Sequence, residues 1–247
     1  MIVSDPIPLM VLATVVGFLI GATGIGGVLL PPGLMQLQGL AVHDAMALAM
    51  FAFAGPGLFA WLRHGSRVVT DRWLLFAAVP GALVGALALA FVAETLAIAL
   101  LASVLVLSAI RLLHPSIHRP RAGRSAVSRS STHAATGMLT GFCSALTATS
   151  GPLVLLPLLL WQGAALPSAI LLGQLIQLPI SLAVTSVHTL NGEAPLGAGL
   201  VMGLLLISGT MAGQYFAQRL PSRLLSGTVC LLLLGTAGAM LWRLSSS

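Results

Sequence analysis

The chain has 247 residues, of which 57% are hydrophobic and 6% charged, and its mean hydropathy is +1.04. A soluble domain carries about a quarter charged residues, so this composition excludes a soluble globular protein and specifies an all-α polytopic membrane protein. The net charge of +6 does not point to a nucleic-acid partner: every basic residue is Arg, and most of them gather in two loops between apolar runs, as the positive-inside rule requires.

The N-terminal "MIVSDPIPLM" lacks a positive n-region, so a cleaved signal peptide is not expected and the first apolar run is retained. Apolar stretches follow at roughly 8–38, 41–62, 73–92, 95–113, 134–161, 165–189, 194–217 and 222–242. Most match the ~20 residues that span a bilayer. Trp61, Trp73, Trp161 and Trp242 fall at or near run ends, where interfacial anchors sit. Cys143 and Cys230 lie in apolar runs with no CxxC or Cys/His pattern, so neither a metal site nor a disulfide framework is expected. No cofactor is expected either.

The only long polar stretch, residues 114–133, divides the chain into a first transmembrane repeat (1–113), an Arg-rich cytoplasmic loop (114–133) and a second repeat (134–247). The halves read as copies. "PGALVGALALAFVAETL" (80–96) aligns without gaps with "SGTMAGQYFAQRLPSRL" (208–224), matching Gly81 to Gly209 and Gly85 to Gly213. "GFLIG" (17–21) resembles "GMLTG" (137–141), and Pro56 and Pro179 fall at similar places, as kinks in paired helices. Gly-xxx-Gly spacing lets helices approach closely, and two-fold internal repeats mark secondary transporters.

The first run of each half is irregular. Residues 8–38 would make a helix about 46 Å long against roughly 30 Å of hydrocarbon. Their middle is "TGIGG" followed by Pro31 and Pro32, and the middle of 134–161 is "TATSGP". Each run therefore reads as two short helices joined by a break, either a re-entrant hairpin or a discontinuous crossing. If both turn back, each half crosses three times and the halves are inverted. The arginines from Arg63 to Arg223 then share one side and only Arg243 lies opposite. If every run crosses, Arg219 and Arg223 oppose the rest, so the inverted arrangement obeys the charge rule slightly better. The expected fold is thus two homologous halves, inverted repeats, each beginning with a broken or re-entrant helix pair followed by three transmembrane helices.

Broken backbone at membrane depth survives only where protein or a wet cavity satisfies it. Helix N-termini bring free N–H groups and a partial positive charge to such a place, and bind anions without a cationic side chain. The runs hold no deep Arg, Asp or Glu, which suits a small oxyanion better than a metal cation. The candidate substrate-binding residues are Thr23, Gly24, Gly26 and Gly27 at the first break and Thr147, Thr149, Ser150 and Gly151 at the second. Gln174 and Gln177, three apart on one helix face, join them. His43, His64 and His188 near run ends are candidates for carrying a coupling proton or countercharge. Asp44 and Glu94, at run edges, are expected to serve as caps.

The stretches "GFLIGATGIGGVLLPPGL", "RHGSRVVTDRW", "PGALVGALALAF" and "SGTMAGQYFAQRLPSRLL", taken in order over nearly the whole chain, resemble the TauE/SafE family of bacterial sulfite exporters. The resemblance implies a multi-pass inner-membrane transporter of sulfite or small organosulfur anions such as sulfoacetate. Two features depart from the family pattern. The second break reads "TATSGPLVLLP", without a Gly-Gly run, and "ALAMFAFAG" stands where the family often carries a Thr-Ser pair.

No Gly-xxxx-Gly-Lys-Ser/Thr loop exists, so the expected function is secondary transport driven by an ion gradient, of protons or sodium, or by the anion's own gradient. The partners are then the small anion, the coupling ion and the bilayer. The alternatives are a passive anion channel and an intramembrane hydrolase using Ser150 with His188 as base.

Overall fold

The computed structural model describes residues 6–40, 42–64, 72–88, 126–147, 149–190 and 196–219, with single positions within 103–110 and 221–242. The apolar runs 95–113 and 222–242, loop residues 114–125, Glu94 and the His43 side chain lie largely or wholly outside the described residues. All regular structure among the described residues is helical: α1 (Pro6–Thr23), a 3₁₀ turn (Gly27–Leu29), α2 (Leu30–Gln38), α3 (Val42–Ala52), α4 (Ala54–His64), α5 (Arg72–Ala88), α6 (Ala126–Thr147), α7 (Gly151–Trp161), α8 (Leu166–Leu190) and α9 (Leu196–Ala217). Three stretches among them are long and apolar enough to cross a membrane: Asp44–His64, Leu166–Leu190 and Gly197–Ala217. Helix α6 starts at Ala126, inside the stretch read as loop. Pro120 and Gly123 are that stretch's last helix-breaking residues, so its polarity alone does not stop a helix that the apolar run nucleates.

Both irregular runs are broken, and the chain doubles back at each break. Gly33 of α2 lies against Leu12 of α1, where a Cβ would stand 2.6 Å from the leucine Cδ2. In the second half, Gln162 Nε2 donates to Thr136 Oγ1 at 2.6 Å. An uninterrupted helix would hold either pair about 30 Å or more apart at 1.5 Å per residue. The prolines after each break act as helix starters. Pro31 and Pro32 sit in the first turn of α2 and Pro152 in the first turn of α7, where the missing N–H costs nothing.

Glycine decides which helices touch. The most extensive helix contacts are α5 with α6 and α1 with α9. A methyl group on Gly81 or Gly85 of α5 would collide with the carbonyl oxygens of Met138 and Phe142 on α6. One on Gly137 or Gly141 of α6 would collide with those of Leu74 and Ala78 on α5. The same reciprocal fit joins α1 and α9: Gly17 and Gly21 lie on Leu206 and Thr210, while Gly209 and Gly213 lie on Thr14 and Phe18. Thr210 Oγ1 adds a hydrogen bond to the Gly17 carbonyl at 3.2 Å. The first helix of each half is thus packed on a glycine face of the other half.

The buried interior is filled by α3, α4, α7 and α8. Pro179 inside α8 removes the N–H that the Leu175 carbonyl would accept. The Trp61 indole of α4 donates to that carbonyl at 2.9 Å. Trp61, expected as an interfacial anchor, is 36% exposed and also supplies the hydrogen bond that the proline takes away. Gly57 packs against the backbone nitrogen of Leu178 beside it.

Two stability outcomes follow. Gly81→Ala and Gly209→Ala should each destabilise the detergent-solubilised protein by about 1–3 kcal/mol, the usual cost of overpacking. Gly197→Ala, with nothing within 4 Å of its added methyl, should not. Trp61→Phe should cost about 0.5–1.5 kcal/mol by orphaning the Leu175 carbonyl. Thermal melts of the four variants against the wild type check these values, and equal melts for Gly81→Ala and Gly197→Ala would contradict the packing scheme.

Candidate functional site

The first break is built from local hydrogen bonds. Thr23 Oγ1 donates to the Leu19 carbonyl at 2.8 Å and accepts the Ile25 N–H at 3.1 Å. Gly24 turns the chain through φ +76, a left-handed conformation that disfavours side chains, while its N–H stays on the Ile20 carbonyl at 2.9 Å. Gly26 tucks onto the backbone of α1, where a Cβ would stand 2.9 Å from the Ile20 nitrogen and from the Val16 oxygen. The 3₁₀ turn then opens at Gly27, and its leading N–H groups have no acceptor inside the turn.

The second break follows another recipe. Thr147 Oγ1 bonds back to the Cys143 carbonyl at 2.8 Å and meets Thr149 Oγ1 at 2.8 Å. Thr149 N–H returns to the Ser144 carbonyl at 3.2 Å. Ser150 is the extended N-cap residue of α7, with φ −62 and ψ 138, and its hydroxyl does not cap the helix. That hydroxyl is fully buried and has no hydrogen-bond partner. It is not paired with His188, so the Ser–base geometry of a hydrolase is not formed here.

The two breaks, one from each half, touch. A Cβ on Gly27 would stand 2.5 Å from Ser150 Cβ, 2.6 Å from Ser150 Oγ and 2.9 Å from the Phe53 ring. Gly24 faces Pro152 and Ile170, and Gly173 of α8 lies on Pro152. Gly151 sits against Ile176 and Ile180, with the Gln177 backbone nitrogen 4.0 Å from the position of its Cβ. The middle of α8 therefore walls the junction on one side and Phe53 on another.

The two glutamines have opposite roles. Gln174 Nε2 donates to the Ile20 and Gly21 carbonyls at 3.0 and 3.2 Å, and its Oε1 accepts from Gln214 Nε2 at 2.7 Å. It caps the C-terminal end of α1, whose last carbonyls a helix leaves open. Gln177 is only 1% exposed, and neither its Nε2 nor its Oε1 has a partner. His64 and His188 stand in the last turns of α4 and α8. His188 is about 16 Å along α8 from Gln177. His64 and His188 are thus not brought to the junction, and the His43 side chain lies outside the described residues.

Phe53 and Gln214 were not singled out from the sequence. Gln214 carries a readable signal, as an amide inside the apolar run "GTMAGQYFA". Phe53 carries none, because its role depends only on which turn faces Gly27. Among the described residues there is no group of three His, Cys, Asp or Glu side chains. The junction acts on a ligand through neutral dipoles: helix N–H groups, one hydroxyl and one amide.

The profile described as sulfite exporter TauE/SafE matches residues 9–240. The chain belongs to the TauE/SafE family. No curated protein and no solved structure matches it. Membership makes it an integral membrane protein of a transporter family, in keeping with the apolar helices above.

The glutamines differ in a testable way. Gln174→Leu removes satisfied hydrogen bonds and strands the Gln214 amide, and should lower stability by about 1–3 kcal/mol. Gln177→Met removes an amide with no partners and should leave the melting temperature unchanged or raise it. Paired thermal melts decide, and equal losses would mean that Gln177 is bonded after all.

Proposed function

We propose that the protein is a secondary transporter that exports a small sulfur-containing anion across the bacterial inner membrane. Sulfite, or an organosulfonate such as sulfoacetate, binds where the two breaks meet. The observation that carries this reading is the contact of Gly27 with Ser150, two helix starts from opposite halves meeting at a buried hydroxyl with no partner. Family membership supports the substrate class.

In this reading the chain reversals at Gly24–Gly26 and at Thr149–Ser150 are re-entrant hairpins whose tips meet near the midplane. Each half contributes one hairpin and three crossings, the halves are inverted, and residues 114–125 lie in the cytoplasm. The reciprocal packing of α1 on α9 and of α6 on α5 supports such a pairing of halves. The anion's charge meets the N–H groups that open the 3₁₀ turn and the single one that α7 offers at Gly151, with the Ser150 hydroxyl between them. Thr23, Thr147 and Thr149 hold the breaks in shape and leave the anion contacts to Gly27, Ser150, Gly151 and Gln177. An interior-negative potential favours exit by about 2.3 kcal/mol per charge per 100 mV. His64 and His188 are then remote from the anion, and a coupling proton or sodium ion carried by either acts at a distance from it.

Tracer efflux of sulfite from proteoliposomes tests the reading. Ser150→Ala should raise the half-saturating concentration roughly tenfold while leaving residual flux, the weight of one hydrogen bond to a charged group. Gly27→Ala should reduce flux more severely, because its methyl must displace Ser150. Unchanged sulfite flux in both variants would exclude the junction as the site.

A further inference from the structure

Resting on the anion-site reading above, we infer that the transported anion carries a hydrogen-bond donor of its own beside the sulfur oxyanion. It is a hydroxy- or amino-substituted sulfonate, or a sulfur oxyanion in its hydrogen-bearing form, in preference to an anion that offers acceptors alone.

The inference starts from Gln177. A primary amide has two donors on nitrogen and an acceptor oxygen with two lone pairs. Both ends of this one are buried and neither finds a partner in the protein. The conclusion does not depend on which end is nitrogen, since turning the amide over exchanges one orphan for the other. An occupant that only accepts hydrogen bonds satisfies the nitrogen and leaves the oxygen bare at membrane depth, where an unpaired polar group is costly. An occupant with an O–H or N–H group satisfies both.

The rest of the junction supplies the complementary half. Pro152 has no N–H and the Leu153 N–H is bonded to the Ser150 carbonyl, so the opening of α7 presents the Gly151 N–H, a donor only, which suits the oxyanion. Ser150 Oγ, directed at Gly27, can donate to it as well. Gln177 stands on the stretch of α8 whose Ile176 and Ile180 touch Gly151, and its unpartnered Oε1 is the acceptor left for the occupant's donor. Gln174 does not compete, because both ends of its amide are engaged with α1 and Gln214. A site built to hydrogen-bond a substrate hydroxyl discriminates strongly against the analogue that lacks it, because its own polar group is then left unpaired.

The test compares two probes of similar size, 2-hydroxyethanesulfonate and ethanesulfonate, as tracers and as competitors of sulfite flux in proteoliposomes of the full chain. For the wild type, the hydroxylated sulfonate is expected to half-saturate at least about fivefold lower. In Gln177→Met the two should fall within about twofold of each other. Equal handling of the two sulfonates by the wild type, with sulfite still transported, overturns the inference and leaves the anion-site reading standing. A wild type that moves neither sulfite nor either sulfonate overturns both. The wild-type comparison needs no substitution, so a poorly assembling variant does not blunt it. Discrimination that survives in Gln177→Met also overturns the inference, since the donor would then be read elsewhere.

Discussion

Everything in this architecture depends on backbone meeting backbone. In a bilayer the apolar surface of a helix gains nothing from leaving one hydrocarbon for another, so helices associate through close packing and polar bonds. Four Gly-xxx-Gly pairs, at 17/21, 81/85, 137/141 and 209/213, supply that packing by letting carbonyl oxygens lie where side chains would otherwise stand. They join the halves crosswise. Since α1 and α6 each end in a break, fixing these two helices against the opposite half also fixes where the breaks arrive. The contact between Gly27 and Ser150 is the geometric result.

Much of this was legible in the sequence. The interruptions at "TGIGG" and "TATSGP" stand out because glycine, proline and hydroxyl residues are expensive in an apolar helix and so signal a purpose. The glycine repeats were equally plain, as was their correspondence between halves. Which glycine face meets which was not, because spacing identifies a surface fit for close approach without naming its partner. Trp61 read as an interfacial anchor because position in a run reports depth. Its second role needed the knowledge that Pro179, far away in sequence, leaves a carbonyl open beside it. The start of α6 at Ala126 was hidden for a related reason: polarity marks where a chain leaves the lipid, whereas a helix ends only where backbone chemistry stops it.

The candidate site shows the same limit at finer scale. Gln174 and Gln177 are indistinguishable by type, burial and helix face. One turn of α8 separates an amide that braces the end of α1 from an amide that braces nothing. Two breaks that look alike on paper are also held differently. The first is tied to α8 and α9 through Gln174 and Gln214, while the second relies on bonds within its own few residues. The two breaks thus meet on unequal terms, the first tied by side-chain amides and the second held by packing of Gly151 and Pro152 against α8.

The crosswise pairing has a consequence for biosynthesis. The ribosome makes α1 well before α9, yet the glycine face that completes α1 belongs to α9. Until α9 is made, Gly17 and Gly21 have no backbone to rest on, and the first break, which gains Gln174 with α8, still lacks Gln214. The N-terminal half must therefore wait in the membrane as an unfinished bundle, shielded by lipid or by the insertion machinery. A chain cut short before residue 196 would lose more than its missing helix, since it would also leave the earliest helix permanently without its seat.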